Sequence, residues 1–330
     1  MTEHRAVNFC RNERLESLLA ELGENLRPSE DRLMAGYRGQ AMRYPLILVM
    51  GPLRSGTTLF TQWLANTGIA AYPTNFLSRF YEAPIIGAKI QLLLTDPRYS
   101  FRDELGDFVR EVDYFSENGK TKGVLAPNEF WYFWRRFLAE PSRDVWTDGE
   151  LRESMDVQTM LSELAGMMDV FNKPFLAKGM LFNYNISFLD SIFDKVVFVY
   201  TRRDPVSNIE SIMTARKRQF ETIDQWYSFR IPEYEKLTNL GPHDQVAGQV
   251  FYINKAIQAG LGSVADERKL VVEYEEFCSN PGSVYEQLLE KLAGNDCMVT
   301  DPYRSENRFH VTRRGENDPE VLDAYRKYYG

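Results

Sequence analysis

Apolar runs and helical apolar patterns alternate along this chain. The runs are short, and most are bounded by proline, glycine or charged residues, which is typical of buried parallel strands. They lie at residues 44–50, 174–178, 194–205 and 268–277. Apolar residues recur at helical spacing over 57–67, 206–220 and 282–292. This order predicts an α/β fold with a doubly wound parallel sheet flanked by helices.

The segments outside this alternation are expected to form a helical extension and helical insertions. Leucines at positions 15, 18, 19, 22 and 26 share one helical face, and Arg27-Pro28 is expected to end that helix. Further helices are predicted over 129–137, 151–171 and much of 224–262. We expect a single domain over residues 1–330. Its parts are an N-terminal helical extension at 1–43, a core at 44–317 and a C-terminal helix at 318–330.

Composition and charge narrow the class of protein. The chain has 330 residues, 44% of them hydrophobic, and a net charge of -8, which argues against non-specific binding of nucleic acid. Its three cysteines are far apart and indicate neither a disulfide framework nor a metal site. No stretch approaches the roughly 18 apolar residues of a spanning helix, so no transmembrane segment and a cytoplasmic location are expected.

The stretch GPLRSGTTLF at residues 51–60 follows the first strand and opens a helix. Its two glycines have the spacing of an ATP-binding P-loop, but Thr57 stands where that loop has lysine. Backbone N–H groups and a helix N-terminus suit an anion such as phosphate, and Arg54 offers a positive charge. A tight turn with incidental hydroxyl groups is the alternative interpretation.

A second segment, VVFVYTRRDPVSNIES, places Arg203 at the end of a strand and Ser211 eight residues later. Ligands of open α/β sheets bind at the carboxyl ends of strands, so Arg203 is expected at the same edge as the loop. Its guanidinium would hold an anion there, and Ser211 would donate to it. A surface ion pair that closes the turn is the alternative.

Together these two segments resemble the sulfotransferase family, whose P-loop-like fold uses 3′-phosphoadenosine 5′-phosphosulfate (PAPS). In that family the R/K-S-G-T-T loop holds the 5′-phosphosulfate, while the strand-end arginine and the following serine hold the 3′-phosphate. The resemblance assigns these contacts to Arg54, Ser55, Gly56, Thr57, Thr58, Arg203 and Ser211. The loop arginine is closer to the carbohydrate and tyrosylprotein branches than to the cytosolic branch, which has lysine there and often tryptophan in place of Leu59.

Three weaker matches extend the resemblance over about residues 45–317. Lys178 lies 25 residues before Arg203, similar to a lysine that assists the chemistry in the tyrosylprotein branch. Tyr274 resembles the family's tyrosine beside the adenine. The stretch TRRGEN resembles the C-terminal segment that holds the 3′-phosphate, which implies roles for Arg313, Arg314 and Gly315. Alone, Lys178 and Tyr274 would be interpreted as structural residues.

The general base is less well specified. The tyrosylprotein branch has a glutamate about twenty residues after the loop, where this chain has Thr74 and Asn75. We favour Glu129, because the aromatic residues that follow it are expected to raise its pKa by desolvation. Glu82 and His310 are alternatives, and an acid at a helix N-terminus is an equally open interpretation of Glu129.

The aromatic run at 130–134 is interpreted as core rather than as the wall of a cleft. Arg135 and Arg136 would extend the site toward an anionic acceptor if they faced it, although exposed helix charges are the simpler interpretation.

The resemblance implies an enzyme that moves the sulfuryl group from PAPS to a hydroxyl or amine of a small molecule, glycan or lipid head group. Arg54 and Lys178 would stabilise the leaving group, with Glu129 as the base. No carboxylate or histidine cluster has ligand spacing, so no metal is expected. The alternatives are a P-loop kinase of a nucleotide or metabolite, which the missing lysine disfavours, and a non-catalytic nucleotide-binding protein.

Overall fold

A parallel sheet lies at the centre of the computed structural model, which describes residues 12–102, 113–311 and 318–330. In chain order the elements are α1 Glu13–Met34, β1 Leu46–Met50, α2 Thr57–Thr67, α3 Pro84–Thr95, β2 Ser116–Glu117, β3 Lys120–Thr121, α4 Trp131–Arg135, α5 Asp148–Ser154, α6 Val157–Phe171, β4 Phe175–Lys178, α7 Ile186–Ile192, β5 Val196–Arg202, α8 Pro205–Phe220, α9 Tyr234–Leu237, α10 Pro242–Leu261, β6 Lys269–Glu273, α11 Tyr274–Ser279, α12 Pro281–Gly294 and α13 Pro319–Tyr329. Short 3-10 turns connect several of them.

The four strands of this sheet stand in the order β4-β1-β5-β6 and are all parallel. In the register, Leu46 of β1 pairs with Phe175 of β4 and with Val196 of β5. All four strands therefore end at one edge, where the chain continues into the loop after β1, Gly179, Arg203 and Tyr274. The predicted fold class is confirmed by this architecture.

Alternate residues of β1 belong to two separate hydrophobic layers. Leu46, Leu48 and Met50 pack into the larger layer, with α4, α6, α8 and α10. Ile47 and Val49 face the other layer, which α2 and α12 cover. Because side chains alternate across a strand, a β1 with every residue buried requires apolar cover on both faces, and this fixes the loop that follows it between the two layers.

Three boundaries differ from those expected. The first helix continues through Pro28 to Met34, because the Glu30 carboxylate, buried on its second half, accepts the N–H groups of Ile85 and Ile86 at the start of α3. The stretch 151–171 contains the end of α5 and all of α6. The strand predicted at 268–277 ends at Glu273, and it is an edge strand on which Val271 is 46% exposed. The division of the chain into extension, core and C-terminal helix stays a prediction.

A buried group of charges joins α1, α4 and α6. Glu163 of α6 is fully buried and forms ion pairs with Arg136 and with Arg27, whose Nη1 lies 3.4 Å from Glu163 Oε1. Glu82 also pairs with both arginines. Arg136 therefore belongs to this internal cluster, and neither interpretation of it holds: it does not extend the functional site, and it is not an exposed helix charge.

Replacing Glu163 with alanine is expected to lower the free energy of unfolding by about 3–5 kcal/mol, because Arg136 loses its most deeply buried carboxylate. Urea denaturation measures the change. Glu153→Ala, at an exposed glutamate of α5, is the matched control and is expected to stay within about 0.5 kcal/mol of the parent. Equal stability of the two variants would contradict the proposed role of the cluster.

Candidate active site

The loop between β1 and α2 is held by side chains from the segments that follow β4 and β5. Asn183 accepts the Gly51 N–H at 3.2 Å and donates to the Gly51 carbonyl at 2.9 Å. Asn208 donates to the carbonyl of Leu53 at 2.6 Å, and Arg203 Nη1 donates to the carbonyl of Arg54 at 3.1 Å. These hydrogen bonds to the loop carbonyl groups fix the conformation of the turn.

The backbone N–H groups at the end of this loop point to an anion site. Those of Gly56, Thr57 and Thr58 have no acceptor among the described residues. They open α2, where the first N–H groups of a helix lack intrahelical partners and the helix dipole is positive. The stretch can therefore bind a phosphate-like group through its backbone.

Gly56 is required by its surroundings. Its φ is 99°, and a Cβ at this position would lie 2.3 Å from Cδ2 of Tyr274. Tyr274 is buried, and the Arg203 guanidinium lies over its ring, 4.7 Å from the centroid. The ring thus separates the glycine of the loop from the strand-end arginine.

Arg54 adopts the left-handed conformation, with φ 62°, which is uncommon for a residue with a side chain. Its Nε lies 3.4 Å from the hydroxyl of Ser211 on α8. Ser55 is fully buried, and its hydroxyl hydrogen-bonds Thr201 of β5 at 2.9 Å. The strained backbone turns the arginine toward α8 while the serine anchors the loop to the sheet.

A buried lysine and a carboxylate meet beside the start of α2. Lys178 Nζ donates to Thr58 Oγ1 at 2.8 Å and lies 3.3 Å from Glu129 Oε1. The other oxygen of Glu129 accepts from Trp131 Nε1 at 2.8 Å and from Lys120 Nζ at 3.3 Å. Burial acts to raise the pKa of Glu129, but the two lysines and the indole outweigh it and lower that pKa to about 2. Burial lowers the pKa of Lys178, and the carboxylate opposes this shift.

Thr58, Lys120, Glu129 and Trp131 border a cleft of about 1540 Å³ at the carboxyl edge of the sheet. Aromatic side chains form part of its wall, namely Trp131, Trp226, Tyr227 and Phe229. Burial raises the pKa of Tyr227 to about 12, so its hydroxyl stays neutral. The cleft therefore combines a cationic end at the loop with an aromatic wall.

Most of the residues expected from the sequence are brought together here. The cleft is lined by Arg54, Gly56, Thr57, Thr58, Glu129, Arg203, Ser211 and Tyr274. Ser55 and Lys178 are buried, and Lys178 reaches the group through Thr58 and Glu129. Arg313, Arg314 and Gly315 lie outside the described residues.

The expectations for the general base change in two ways. Desolvation was expected to raise the pKa of Glu129, and this was wrong in sign, since two lysine ammonium groups outweigh the burial. Glu82 lies in the internal charge cluster with Arg27 and Arg136 and is not among the cleft residues. His310 lines the cleft.

The aromatic run at 130–134 divides between core and cleft. Phe130, Phe133 and Trp134 are buried, as the core interpretation predicts, whereas Trp131 lines the cleft and donates to Glu129. Arg135 also lines the cleft, where it pairs with Asp144.

Sequence reasoning missed several members of the site. Asn183 and Asn208 carry no local signal, because each acts on a loop more than a hundred residues away. Lys120 follows the dipeptide Asn118-Gly119, a strong hairpin signal that would have placed a turn here.

Comparison with known proteins identifies the family. The model of the sulfotransferase family matches residues 45–294. The chain belongs to the sulfotransferase family. This confirms the resemblance found in the sequence and the prediction that the protein is a sulfotransferase.

One of two similar solved structures, that of STF9, supports the fold. Sulfotransferase STF9 from Mycobacterium avium is 17% identical, with a TM-score of 0.52 over 93% of this chain and 71% of that chain. Sulfotransferase STF1 from Mycobacterium tuberculosis is 11% identical, with a TM-score of 0.48 over 94% of this chain and 76% of that chain. A search of curated proteins found no match.

In the described ranges 12–102, 113–311 and 318–330, no helix has the length and apolar character needed to cross a membrane. The same ranges contain no group of three histidine, cysteine, aspartate or glutamate side chains arranged to hold a metal ion.

Gly56→Ala is expected to destabilise this sulfotransferase by more than Gly68→Ala, the matched control at the other end of α2. Gly68 also has a positive φ, 76°, but a Cβ there would meet no atom within 4 Å. The control therefore loses only about 1–2 kcal/mol of unfolding free energy, the cost of the left-handed backbone. The additional loss for Gly56→Ala measures the clash with Tyr274.

Urea denaturation of both variants provides the comparison. Measured in a Tyr274→Ala background, Gly56→Ala is expected to cost no more than Gly68→Ala, because the small side chain leaves room for the new Cβ. Equal losses for the two glycine variants would contradict the close packing of Tyr274 against the loop.

Proposed function

We propose that this sulfotransferase uses PAPS as donor and transfers its sulfuryl group to a hydroxyl or amine of an acceptor held in the cleft. A small molecule, a glycan and a lipid head group are the acceptor classes considered. The observation that carries the proposal is the meeting of Arg54, Arg203 and Lys178 at one sheet edge with the backbone N–H groups that open α2.

The loop suits the 5′ end of the donor. Backbone N–H groups of Gly56, Thr57 and Thr58 bind anions without a side-chain charge, and the Thr58 hydroxyl already contacts Lys178. A Cβ at Gly56 would fill the space against Tyr274, so this part of the loop depends on glycine. Arg54 adds a cation directly beside these groups.

The 3′-phosphate is assigned to Arg203 and Ser211. Arg54 Nε contacts Ser211, and Arg203 donates to the Arg54 carbonyl, so the two candidate phosphate sites share one connected network. Tyr274 lies under Arg203 and is proposed to border the adenine. Arg313, Arg314 and Gly315 are retained as proposed partners of the 3′-phosphate by resemblance.

The remainder of the cleft is assigned to the acceptor. Trp131, Tyr227 and Phe229 present faces and edges that pack against an apolar or sugar ring. Glu129 lies at the junction of this wall with the loop, because it contacts both Trp131 and Lys178. A hydroxyl bound against the wall would thus approach the carboxylate and the loop together.

The chemistry follows from these positions. PAPS supplies a sulfuryl group whose bond to the 5′-phosphate breaks as its bond to the acceptor forms. Lys178 and Arg54 stabilise the negative charge that develops on the leaving phosphate oxygen. Glu129 accepts the acceptor's proton, and the loop N–H groups hold the donor in line for displacement.

Calorimetric titration tests the donor assignment directly. We expect 3′-phosphoadenosine 5′-phosphate (PAP) to bind tightly without metal, and ATP and ADP to bind weakly with or without magnesium. Transfer of ³⁵S from labelled PAPS to a panel containing a phenol, a sugar, an amine and a lipid head group then identifies the acceptor class. A preference for ATP with magnesium would refute the donor assignment and favour the kinase alternative.

Arg203→Ala is expected to weaken PAP binding about tenfold to a hundredfold, because it removes a charge-assisted contact worth roughly 1.5–3 kcal/mol. The matched control is Arg202→Ala, since Arg202 is adjacent in sequence but pairs with Glu273 on β6. Calorimetry on both variants measures the difference. Unchanged affinity for Arg203→Ala would place the 3′-phosphate elsewhere.

Lys178→Met is expected to reduce sulfuryl transfer by roughly a hundredfold to a thousandfold, the usual cost of losing one group that stabilises transition-state charge. Release of PAP from PAPS, measured with the best acceptor of the panel, follows the reaction. Lys173→Met is the control, because Lys173 lies just before β4, at the opposite end from Lys178, and donates to the carbonyl of Gly68. Wild-type turnover by Lys178→Met would exclude a role at the leaving group.

A further inference from the structure

A small hairpin covers the start of α2 and the carboxylate beside it. Strands β2 and β3 pair antiparallel around a turn at Asn118 and Gly119, whose φ values of 48° and 85° suit a tight hairpin turn. A Cβ at Gly119 would lie 3.5 Å from Glu129 Oε1 and 3.5 Å from Thr58 Oγ1. The turn backbone therefore sits directly against the proposed base.

The hairpin is tied to the aromatic side of the cleft as well. The Tyr227 hydroxyl donates to the Asn118 carbonyl at 3.4 Å, and Asn118 Nδ2 donates to the carbonyl of Ala215 on α8 at 3.5 Å. The first residue of its second strand, Lys120, is consequently brought to Glu129.

The two oxygens of Glu129 are divided between two lysines. Lys178 contacts Oε1, while Lys120 and the Trp131 indole contact Oε2. The lysines differ in environment, since the Lys178 side chain is 4% exposed and the Lys120 side chain is 66% exposed. Lys178 also contacts Thr58, in the loop proposed to bind the donor, whereas Lys120 reaches Glu129 from the hairpin.

The separate contacts of the two lysines have different fates once a donor phosphate binds the loop. Donor phosphate near Thr58 competes with Glu129 for Lys178, because one ammonium group cannot be fully shared by both anions. The contact at Oε1 is then weakened. Lys120 and Trp131 remain on Oε2, so the carboxylate keeps a cation and a fixed orientation while Oε1 is released toward the acceptor.

Resting on the proposed function, we propose that Lys120 is a positioning residue that orients the Glu129 carboxylate for proton transfer when the donor engages Lys178. Lys120 itself touches neither the reacting sulfur nor the leaving group in this scheme.

The groups around Glu129 determine what a titration of this carboxylate reports. Lys178 of β4 and Lys120 of β3 are the cations in contact with it. Tyr227 is neutral, because its pKa is raised to about 12, and Arg54 acts on the site through Lys178. Removing Lys120 leaves one cation of the two and is expected to raise the pKa of Glu129 from about 2 by roughly 1–3 units.

The test uses the full chain labelled with ¹³C at the glutamate carboxyl groups, with the Glu129 signal assigned by its loss in Glu129→Gln. In the wild type we expect this signal to stay at the ionised position across the pH range in which the protein is folded. In Lys120→Met we expect it to titrate within that range, and in Lys120→Arg to behave as in the wild type. Lys122→Met is the matched control, because Lys122 lies over the Phe115 ring and, among the described residues, the ion pairs of Glu129 are with Lys120 and Lys178.

Binding of PAP and turnover of PAPS are measured on the same variants. Lys120→Met is expected to bind PAP within about twofold of the wild type but to lose at least tenfold in kcat for PAP release from PAPS, with recovery in Lys120→Arg. An unchanged Glu129 titration in Lys120→Met, or an equal shift in Lys122→Met, would overturn the proposal. Failure of the wild type to bind PAP would instead refute the donor site, and the titration would still decide the Lys120 contact.

Discussion

A lysine ammonium group is costly to bury unless an anion accompanies it, and Lys178 at the end of β4 meets this condition through Glu129. The pair joins a strand of the central sheet to the segment that precedes α4. It also brings Thr58 of α2 into the same network through Lys178. Three separate parts of the chain are therefore held in register by one charge interaction, and the cleft is arranged around it.

The sheet supplies the second constraint. Its strands are parallel, so their carboxyl ends deliver the loop, Lys178, Arg203 and Tyr274 to one edge. The loop is then fixed from its carbonyl side by Asn183, Asn208 and Arg203. The carbonyls on one side are fixed, and the N–H groups on the other have no acceptor among the described residues. This arrangement suits the turn to binding an anion, which is the electrostatic property that the proposed sulfuryl transfer requires.

The sequence predicted those parts of the fold that local pattern determines. The helix 57–67 and the strand before it were located well, because a fully apolar run, two glycines and an apolar helical face follow one another directly. Pro28 predicts a helix end, because the local effect of proline is to break helices. The contact of Glu30 with α3 overrides that effect, and it joins residues more than fifty positions apart.

The candidate site likewise contains residues that the local sequence predicts and residues that it does not. Arg54, Gly56 and Arg203 lie in short motifs, so their place at the sheet edge could be predicted from the residues around them. The pKa of Glu129 could not, because its sign depends on two lysines, of which Lys178 is 49 residues distant in sequence. Aromatic neighbours suggested desolvation alone. Lys120 was missed because its importance arises only when the hairpin folds over α2.

The left-handed backbone of Arg54 sets chemistry against stability within this loop. Glycine at this position would relieve the strain, which for a residue with a side chain costs of order 1–3 kcal/mol. It would also delete the cation that contacts Ser211. Given the role proposed for Arg54 at the leaving group, a selection for thermal stability alone would favour glycine here at the expense of transfer, so variants stabilised at this position should be screened for turnover before they are combined.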